Sequence, residues 1–162
     1  MKIEKTIYLL FSAALLAALS LSCQSHIAYH GYGSTHEGGW YRGDTVELFI
    51  PALEEGGNYV EQLEFRTSTR YPFTALRLVV DKTIYHQEDG KTHQRTQSDT
   101  ITCRVADDEG RPLGEGLDFY QYDIPFKQQA LSAGDSLHVR ITHGMQRTAL
   151  RGIVGVGYRL MK

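Results

Sequence analysis

The chain has 162 residues, of which 41% are hydrophobic and 22% charged, with 17 Lys and Arg against 19 Asp and Glu. A length of this order fits one domain with a hydrophobic core. The near-neutral charge, without a Lys/Arg stripe, argues against a nucleic-acid partner, because binding to phosphates along a nucleic acid needs clustered positive charge.

The N-terminal residues have the order of an export signal. Lys2 and Lys5 precede an apolar run at residues 7–21, as in the basic and apolar regions of a secretory signal peptide. The run is shorter than the roughly 20 apolar residues of a membrane-spanning helix, and it stops before Cys23 as a bacterial lipobox does. We therefore predict a lipoprotein signal peptide at residues 1–22. An ordinary signal peptide followed by an incidental cysteine is the alternative.

A lipid on Cys23 would attach the chain to a membrane, since each buried methylene contributes roughly 0.8 kcal/mol of membrane affinity. Cys103 is the only other cysteine, so no intramolecular disulfide could form and the fold must depend on packing. Cys23 is followed by Gln24, not by acidic residues typical of surface display or by the Asp that retains lipoproteins at the inner membrane. We expect outer-membrane attachment with the domain facing the periplasm.

Residues 24–40 are rich in His, Gly, Tyr and Ser and show no apolar periodicity. Such a composition is typical of a flexible linker. We predict a lipid-anchored tether at residues 23–40 and a folded domain at residues 41–162.

Beyond residue 40, apolar side chains recur at every second position, which is typical of half-buried strands. The alternating runs are 46–50, 63–65, 76–80, 101–105, 137–141 and 154–160, with a further strand or two in 117–124. Turn signals rich in Gly, Asp and Pro separate these runs, and no window holds a helical stripe. The sequence predicts an all-β fold: an antiparallel β-sandwich of about seven to eight strands, with a jelly roll as one option.

The sequence contains no residue set typical of a catalytic or metal site. Its seven histidines include no tight ligand pair with a third partner nearby. The acidic run 107–109 lacks the alternating ligands of an EF-hand, which favours a plain turn ending at Gly110, and no Gly-x-Ser-x-Gly motif marks a nucleophile. Cys103 lies in the inward register of its strand, which predicts a core residue. We expect no enzyme activity, cofactor, metal or small-molecule substrate.

Aromatic residues are the one feature that could serve binding. They are Tyr29, Tyr32, Trp40 and Tyr41 before the predicted domain, and Phe119, Tyr120 and Tyr122 on one predicted strand. Planar rings can stack on a sugar or contribute to a protein-docking surface. The alternative is that Trp40 and some of the tyrosines close one end of the sandwich.

The segment 110–116 is unusually rich in glycine. Its glycines either provide positive φ at a turn into the next strand or let a partner backbone approach, with Leu113 as an exposed anchor. The candidates for partner docking are Leu113, Arg111, Glu115, Trp40 and Tyr41.

Short pieces of sequence with a recognisable order are spread over nearly all of the mature chain. They are Cys23; Trp40 with Asp44-Thr45; Arg66-Thr67 and Arg70-Tyr71-Pro72-Phe73; Asp99-Thr100-Ile101, Ala106-Asp107, Gly110 and Leu113-Gly114-Glu115-Gly116; and Met145, Arg147, Leu150-Arg151-Gly152-Ile153 and Val156-Gly157. In the order and spacing of these pieces, the chain resembles the gliding-motility-associated lipoprotein family GldH of Bacteroidota.

The resemblance implies a non-enzymatic envelope lipoprotein associated with the gliding and type IX secretion apparatus. Our first hypothesis is an interaction or structural module that docks on another envelope protein, and the alternative is a carbohydrate-binding lipoprotein module. A glycan site needs two or three exposed rings on one face, whereas a docking site needs a wider patch with a polar rim.

Overall fold

The computed structural model describes residues 26–36 and 38–162, and in these ranges the chain forms ten β-strands and no helix. The predicted signal peptide, the predicted lipid-attachment residue Cys23 and Glu37 lie outside the described residues. Within the two ranges, therefore, no helix is long and apolar enough to cross a membrane.

The strands vary in length from two to 14 residues. In chain order they are β1 (Ile27–Ser34), β2 (Trp40–Tyr41), β3 (Val46–Ile50), β4 (Gly57–Ser68), β5 (Ala75–Glu88), β6 (Lys91–Arg104), β7 (Phe119–Leu131), β8 (Ser136–His143), β9 (Ala149–Leu150) and β10 (Ile153–Met161).

All strand pairs are antiparallel, and they form two four-stranded sheets. The strand order is β1-β10-β4-β7 in the first sheet and β3-β8-β5-β6 in the second, while β2 pairs only with β9. The pairing is nested along the chain: β5 pairs with β6, β4 with β7, β3 with β8 and β1 with β10. Eight strands wound into two sheets in this way form a jelly roll. The structure thus confirms the predicted antiparallel sandwich and its jelly-roll option.

Alternating side chains of both sheets fill one hydrophobic core. In β3, Val46, Leu48 and Ile50 are buried while Glu47 and Phe49 are exposed, which is the predicted period of two. Burying one Val, Leu or Ile side chain fully contributes about 1.5–3 kcal/mol. The stability of the domain therefore comes from the inward rows of these strands.

Cys103 lies in this core, as its strand register predicted. The residue is 2% exposed, and burial raises the pKa of its thiol to about 11. A thiol that stays protonated is a poor nucleophile, so Cys103 acts as a small apolar side chain.

Residues 27–34 differ from the predicted tether. They form β1, which pairs with β10 from Ile27 opposite Met161 to Ser34 opposite Gly155. The glycines that suggested a flexible linker permit close packing instead, because a Cβ on Gly33 would lie 2.5 Å from Val46 Cγ1. The folded domain therefore includes β1, and its predicted start at residue 41 is too late.

Trp40 also differs from its prediction as a docking residue. Its side chain is 1% exposed, its Nε1 donates a hydrogen bond to the Asp44 carbonyl over 3.0 Å, and its ring meets His143 edge-on at 5.3 Å between centroids. A large indole gains more from burial than from exposure. Trp40 thus closes one end of the sandwich, which was the alternative interpretation.

The register of β10 is shifted by a bulge. The alternation predicted Val154 as an inward residue, but it is 40% exposed while Ile153 is 2% exposed. A register irregularity between Ile153 and Gly155 inserts one extra residue opposite β4. Such a bulge re-aims the side chain next to it, and here it turns Val154 outward.

The two ends of the sandwich carry different connections. One end, which we call the anchor end, carries His26, the connection 51–56, the β5–β6 and β7–β8 turns and Lys162; the Lys162 amide donates to the His26 carbonyl over 2.8 Å. The opposite end, the loop end, carries the described residues 35–36 and 38–45 and the connections 69–74, 105–118 and 144–152. A strand of 12 residues, the length of β4, spans about 40 Å. The two ends are about that far apart.

Candidate docking surface

The connection 105–118 at the loop end is fixed by an aspartate-centred turn. Asp107 Oδ1 accepts hydrogen bonds from the amides of Glu109 (3.0 Å) and Arg111 (2.8 Å). Desolvation would raise the pKa of Asp107, but the hydrogen bonds from Arg111 and Glu109 outweigh it and lower the pKa. The turn predicted at 107–110 is confirmed, and a charged carboxylate holds it.

The glycines that follow have structural reasons. Gly110 and Gly116 have φ angles of 81° and 138°, a region that residues with a Cβ rarely adopt. Gly114 has no positive φ, but a Cβ there would lie 2.7 Å from the Gln121 carbonyl oxygen. That approach is close because Glu115 and Gln121 exchange two backbone hydrogen bonds. The loop is therefore a defined structure that holds its neighbours in place.

Four large apolar side chains are exposed at the loop end. Leu117 is 90% exposed, Phe119 55%, Leu113 53% and Val154 40%. Phe119 and Val154 line the same groove, of about 470 Å³. Sequence reasoning named Leu113 and Phe119 as candidates for binding, but it placed Leu117 inside a strand and Val154 in the core.

A second groove, of about 440 Å³, adjoins the first, because Ser68 and Thr69 line both. Its apolar wall includes Tyr71 and Phe73, whose rings meet edge to face at 5.5 Å. The Tyr71 hydroxyl donates to the Ala75 carbonyl over 2.8 Å, which leaves the ring as the surface of the groove. The segment 70–73, one of the short pieces that carry the family resemblance, thus forms part of the wall of this groove.

Exposed arginines lie at the loop end beside the two grooves, and Arg70 lines the first of them. Arg70, Arg147 and Arg151 are exposed, and none of the ion pairs formed among the described residues involves them. The guanidinium carbon of Arg147 lies 5.9 Å from the Phe73 ring centroid, a cation–π arrangement. Aromatic, apolar and arginine side chains together are typical of the centres of protein interfaces.

The residues predicted for docking are partly brought together. Leu113, Arg111 and Glu115 lie in one loop and are exposed, and Tyr41, 46% exposed, lies at the same end. Arg111 also binds Asp107 over 2.6 Å, so it stabilises the loop. Trp40 is buried and contributes no exposed surface. A docking role for the four exposed residues stays a prediction.

Several of the aromatic side chains considered for glycan stacking are buried or covered by other side chains of the protein. Tyr122 is 4% exposed, stacks on Phe65 at 4.7 Å and donates to the Val105 carbonyl over 2.8 Å. The Tyr32 ring is covered by the Arg66 guanidinium at 5.0 Å. These rings are not available to lie flat on a sugar.

Residues 27–160 match the family model described as GldH lipoprotein. No curated protein matches the chain. Among solved structures, the chain is similar to that of T=1 particles derived from infectious bursal virus, with 16% identity, 85% of this chain and 38% of that chain covered, and a TM-score of 0.21. The VP2 subviral particle of infectious bursal disease virus gives 21% identity, coverages of 86% and 41%, and a TM-score of 0.17. The chain thus spans less than half the length of either viral chain.

Proposed function

Because the chain belongs to the GldH lipoprotein family, we propose that it is a non-enzymatic envelope component, associated with gliding motility and type IX secretion, that docks another envelope protein through its loop end. The observation that carries this proposal is the exposed apolar surface of Leu113, Leu117, Phe119 and Val154. Phe119 and Val154 share one groove, and Leu117 and Leu113 lie in the connection that leads to Phe119. Apolar side chains that lie close together at a surface are typical of interaction sites, whereas isolated ones are not.

The chemistry of the surface also suggests what the partner offers. Arg70 lines the first groove, Arg147 lies beside Phe73 of the second, and Arg151 directly precedes the groove residue Gly152. None of these arginines takes part in an ion pair of the described chain. A partner segment with apolar side chains and flanking carboxylates would fill the grooves and pair these arginines. Opposite charges across an interface accelerate association and exclude like-charged partners.

This surface lies at the opposite end of the fold from the start of β1, the first strand after Cys23, which we propose carries the lipid. Ile27 begins β1 four residues after Cys23, and an extended chain spans at most about 3.6 Å per residue. A lipid on Cys23 would hold the anchor end within about 15 Å of the membrane and present the loop end about 40 Å beyond it. We propose attachment to the outer membrane with the loop end in the periplasm.

The docking proposal is tested with Leu117→Ser and Phe119→Ser in the full chain. Each variant is captured from detergent-solubilised envelopes of the source organism, and co-retained proteins are quantified beside the wild type. We expect a defined set of envelope proteins to be lost from both variants, because truncating a central interface side chain usually costs more than 1 kcal/mol.

Phe49→Ser is the matched control, since Phe49 is 67% exposed on β3, away from the loop end. Its retained proteins should equal those of the wild type. If all three variants lose the same proteins, or none does, the loop end is not the docking surface.

Anchoring and orientation are tested separately. We expect Cys23→Ala to release or misprocess the protein, because the lipid supplies the membrane affinity. Retention of this variant in membranes after salt and carbonate washes would place the anchor elsewhere. Digestion of the wild-type domain by protease added to intact cells would contradict the periplasmic orientation.

A further inference from the structure

On one face of the second sheet, the side chains change from apolar to polar and basic toward the anchor end. Residues directly opposite each other in an antiparallel pair project from the same face. Leu76 and Cys103 form one such pair and are buried in the core. Three pairs further along the same face the partners are Lys82 and Gln97, then Ile84 and Arg95, and then His86 and His93. Toward the anchor end this face therefore carries the buried Lys82, then the partly buried His86 and the exposed Arg95 and His93.

His86, Arg95 and His93 border an open cavity between the two sheets, while Lys82 lies deeper in the core. The cavity has a volume of about 380 Å³ and is lined by Ile84, His86, His93, Arg95, Ala130, Leu131, Ser132 and Asp135. Small-molecule sites usually measure about 300–1,000 Å³, so a small polar group fits. The cavity lies at the anchor end, where the amide of Leu53 in the β3–β4 connection bonds to the Asp135 carbonyl over 2.9 Å.

His86 is held in a fixed orientation. Its Nδ1 lies 2.6 Å from Asp135 Oδ1, and a carboxylate only accepts, so Nδ1 carries the proton of this bond. Asp135 is 4% exposed, and its Oδ2 accepts from the Ser132 amide over 2.8 Å. Both carboxylate oxygens are thus occupied within the protein, and Nε2 of His86 is left for the cavity.

Arg95 supplies the strongest hydrogen-bond donor. One of its terminal nitrogens donates to the Ala130 carbonyl over 3.1 Å, which fixes the guanidinium beside the cavity while its other N–H groups stay available. His93 lies directly opposite His86, and the Ser132 hydroxyl adds a fourth polar group. Asp135 is the only carboxylate in the lining, and it is already paired.

We propose that this cavity binds an anionic group of the phosphate class, held by Arg95, His86, His93 and Ser132. An arginine fork matches the oxygens of a phosphate, and charge-assisted hydrogen bonds of this kind are stronger than neutral ones. Among the described residues, no group of three or more His, Cys, Asp or Glu side chains is arranged to hold a metal ion.

The phosphate group has two possible sources. The lipid source rests on the anchoring proposed above: a lipid on Cys23 would bring headgroup phosphates within reach of the cavity, which lies at the end of the domain nearest that residue. A soluble phosphate ester offers the same chemistry. The proposal concerns the cavity alone and is independent of docking at the loop end.

The experiment uses the purified full chain and histidine-ring NMR signals, with the His93 signals assigned through His93→Gln. For the soluble source, inorganic phosphate is titrated into the protein in detergent micelles against chloride at equal ionic strength. For the lipid source, nanodiscs containing phosphatidic acid are compared with nanodiscs of a phosphate-free galactolipid. We expect the His86 and His93 signals to shift in at least one of these comparisons.

Arg95→Gln should weaken the response about tenfold or more, because it removes a charged hydrogen-bond donor. Arg140→Gln is the matched control, since Arg140 is an exposed arginine on β8 outside the cavity and the charge change is the same. A shift with inorganic phosphate assigns a general phosphate site, and a shift with phosphatidic acid alone assigns a lipid headgroup. The absence of both shifts overturns the proposal, as does an equal response of wild type and Arg95→Gln.

Discussion

The loop end and the interior near the anchor end distribute their side chains in opposite ways. The loop end exposes Leu117 and Phe119 to solvent, whereas the interior buries Glu61 and Lys82, which are 0% and 1% exposed. Charged groups are buried only where the protein itself supplies the opposite charge. The exposed apolar groups have no such counterpart within the described chain, which is the pattern expected of a surface completed by a partner.

The buried charges bridge the two sheets. Lys82 on β5 reaches Glu61 on β4 and also Gln129 Oε1 on β7, at 3.3 Å. Burial lowers the pKa of Lys82, although the bond to Glu61 opposes this shift, and burial raises the pKa of the adjacent Tyr158 well above its usual value. Lys82 and Glu61 stabilise each other, because either charge would be strongly unfavourable in the core without the other.

The largest predicted effect comes from breaking that pair. Lys82→Ala leaves the Glu61 carboxylate buried without a cation, and it should lower the free energy of unfolding by about 3–5 kcal/mol. The double change Lys82→Met with Glu61→Leu should cost far less, since apolar residues of similar volume often replace a buried ion pair neutrally. Chemical denaturation of the full chain measures both, and equal losses in the two would show that packing, not charge, is what matters here.

The next effect concerns the loop that displays the apolar surface. In Gly114→Ala the new Cβ would meet the Gln121 carbonyl oxygen at 2.7 Å and the Tyr122 ring at a similar distance. Overpacking of this kind typically costs about 1–3 kcal/mol. Gly155→Ala is the control, because its nearest contact would be an ordinary 3.7 Å. Thermal unfolding should separate the two, and an unchanged Gly114→Ala would mean that the loop is not packed as described.

A smaller effect depends on pH. Burial, followed by the charge of Arg42, lowers the pKa of His143 from its usual 6.5. Above pH 6.5 the imidazole is neutral in both the folded and the unfolded chain, so stability there is unaffected. As the pH falls below this value the unfolded chain takes up the proton first, and the folded state loses at most about 1.4 kcal/mol per pH unit.

His143→Phe tests this dependence, because it keeps an aromatic ring beside Trp40 without a titratable group. The difference in free energy of unfolding between variant and wild type should be constant at neutral pH and should change in favour of the variant in mild acid. A difference that is constant over the whole range would contradict the assignment.

The sequence predicted the regular apolar strands well and the polar and loop residues poorly. The strands β3, β5 and β8 were predicted because they alternate apolar and polar residues. β1 was missed because its glycines suggested a flexible linker. In the structure Gly33 instead allows close packing against Val46. The basic row at Arg95 was missed because the alternation rule looks for apolar residues, and Arg95 and His93 are polar and exposed at the rim of the sandwich. Counting by two from Cys103 along β6 would have found it.

Leu117 was missed for a different reason. It stands between Gly116 and Asp118, residues typical of a turn, yet its apolar side chain favoured its assignment to the next strand. The structure starts β7 at Phe119 and leaves Leu117 in the connection. The backbone conformation decides whether Leu117 belongs to the strand or to the connection before it, and the sequence pattern does not reveal that conformation.

The smallest predicted effect on stability is that of Leu117→Ser. It tests most directly whether the apolar side chains of the loop end are free of a packing role. Leu117 is 90% exposed, so Leu117→Ser removes little buried apolar area and should change the free energy of unfolding by less than about 0.5 kcal/mol. Leu150→Ser, at a buried position of the same end, is the contrast and should cost several times more, because it leaves a cavity and an unpaired hydroxyl in the core. Both are measured by thermal unfolding of the full chain. If Leu117→Ser destabilised the fold as strongly as Leu150→Ser, Leu117 would be serving the packing of this chain, and the loop end would lose the most exposed member of its apolar surface.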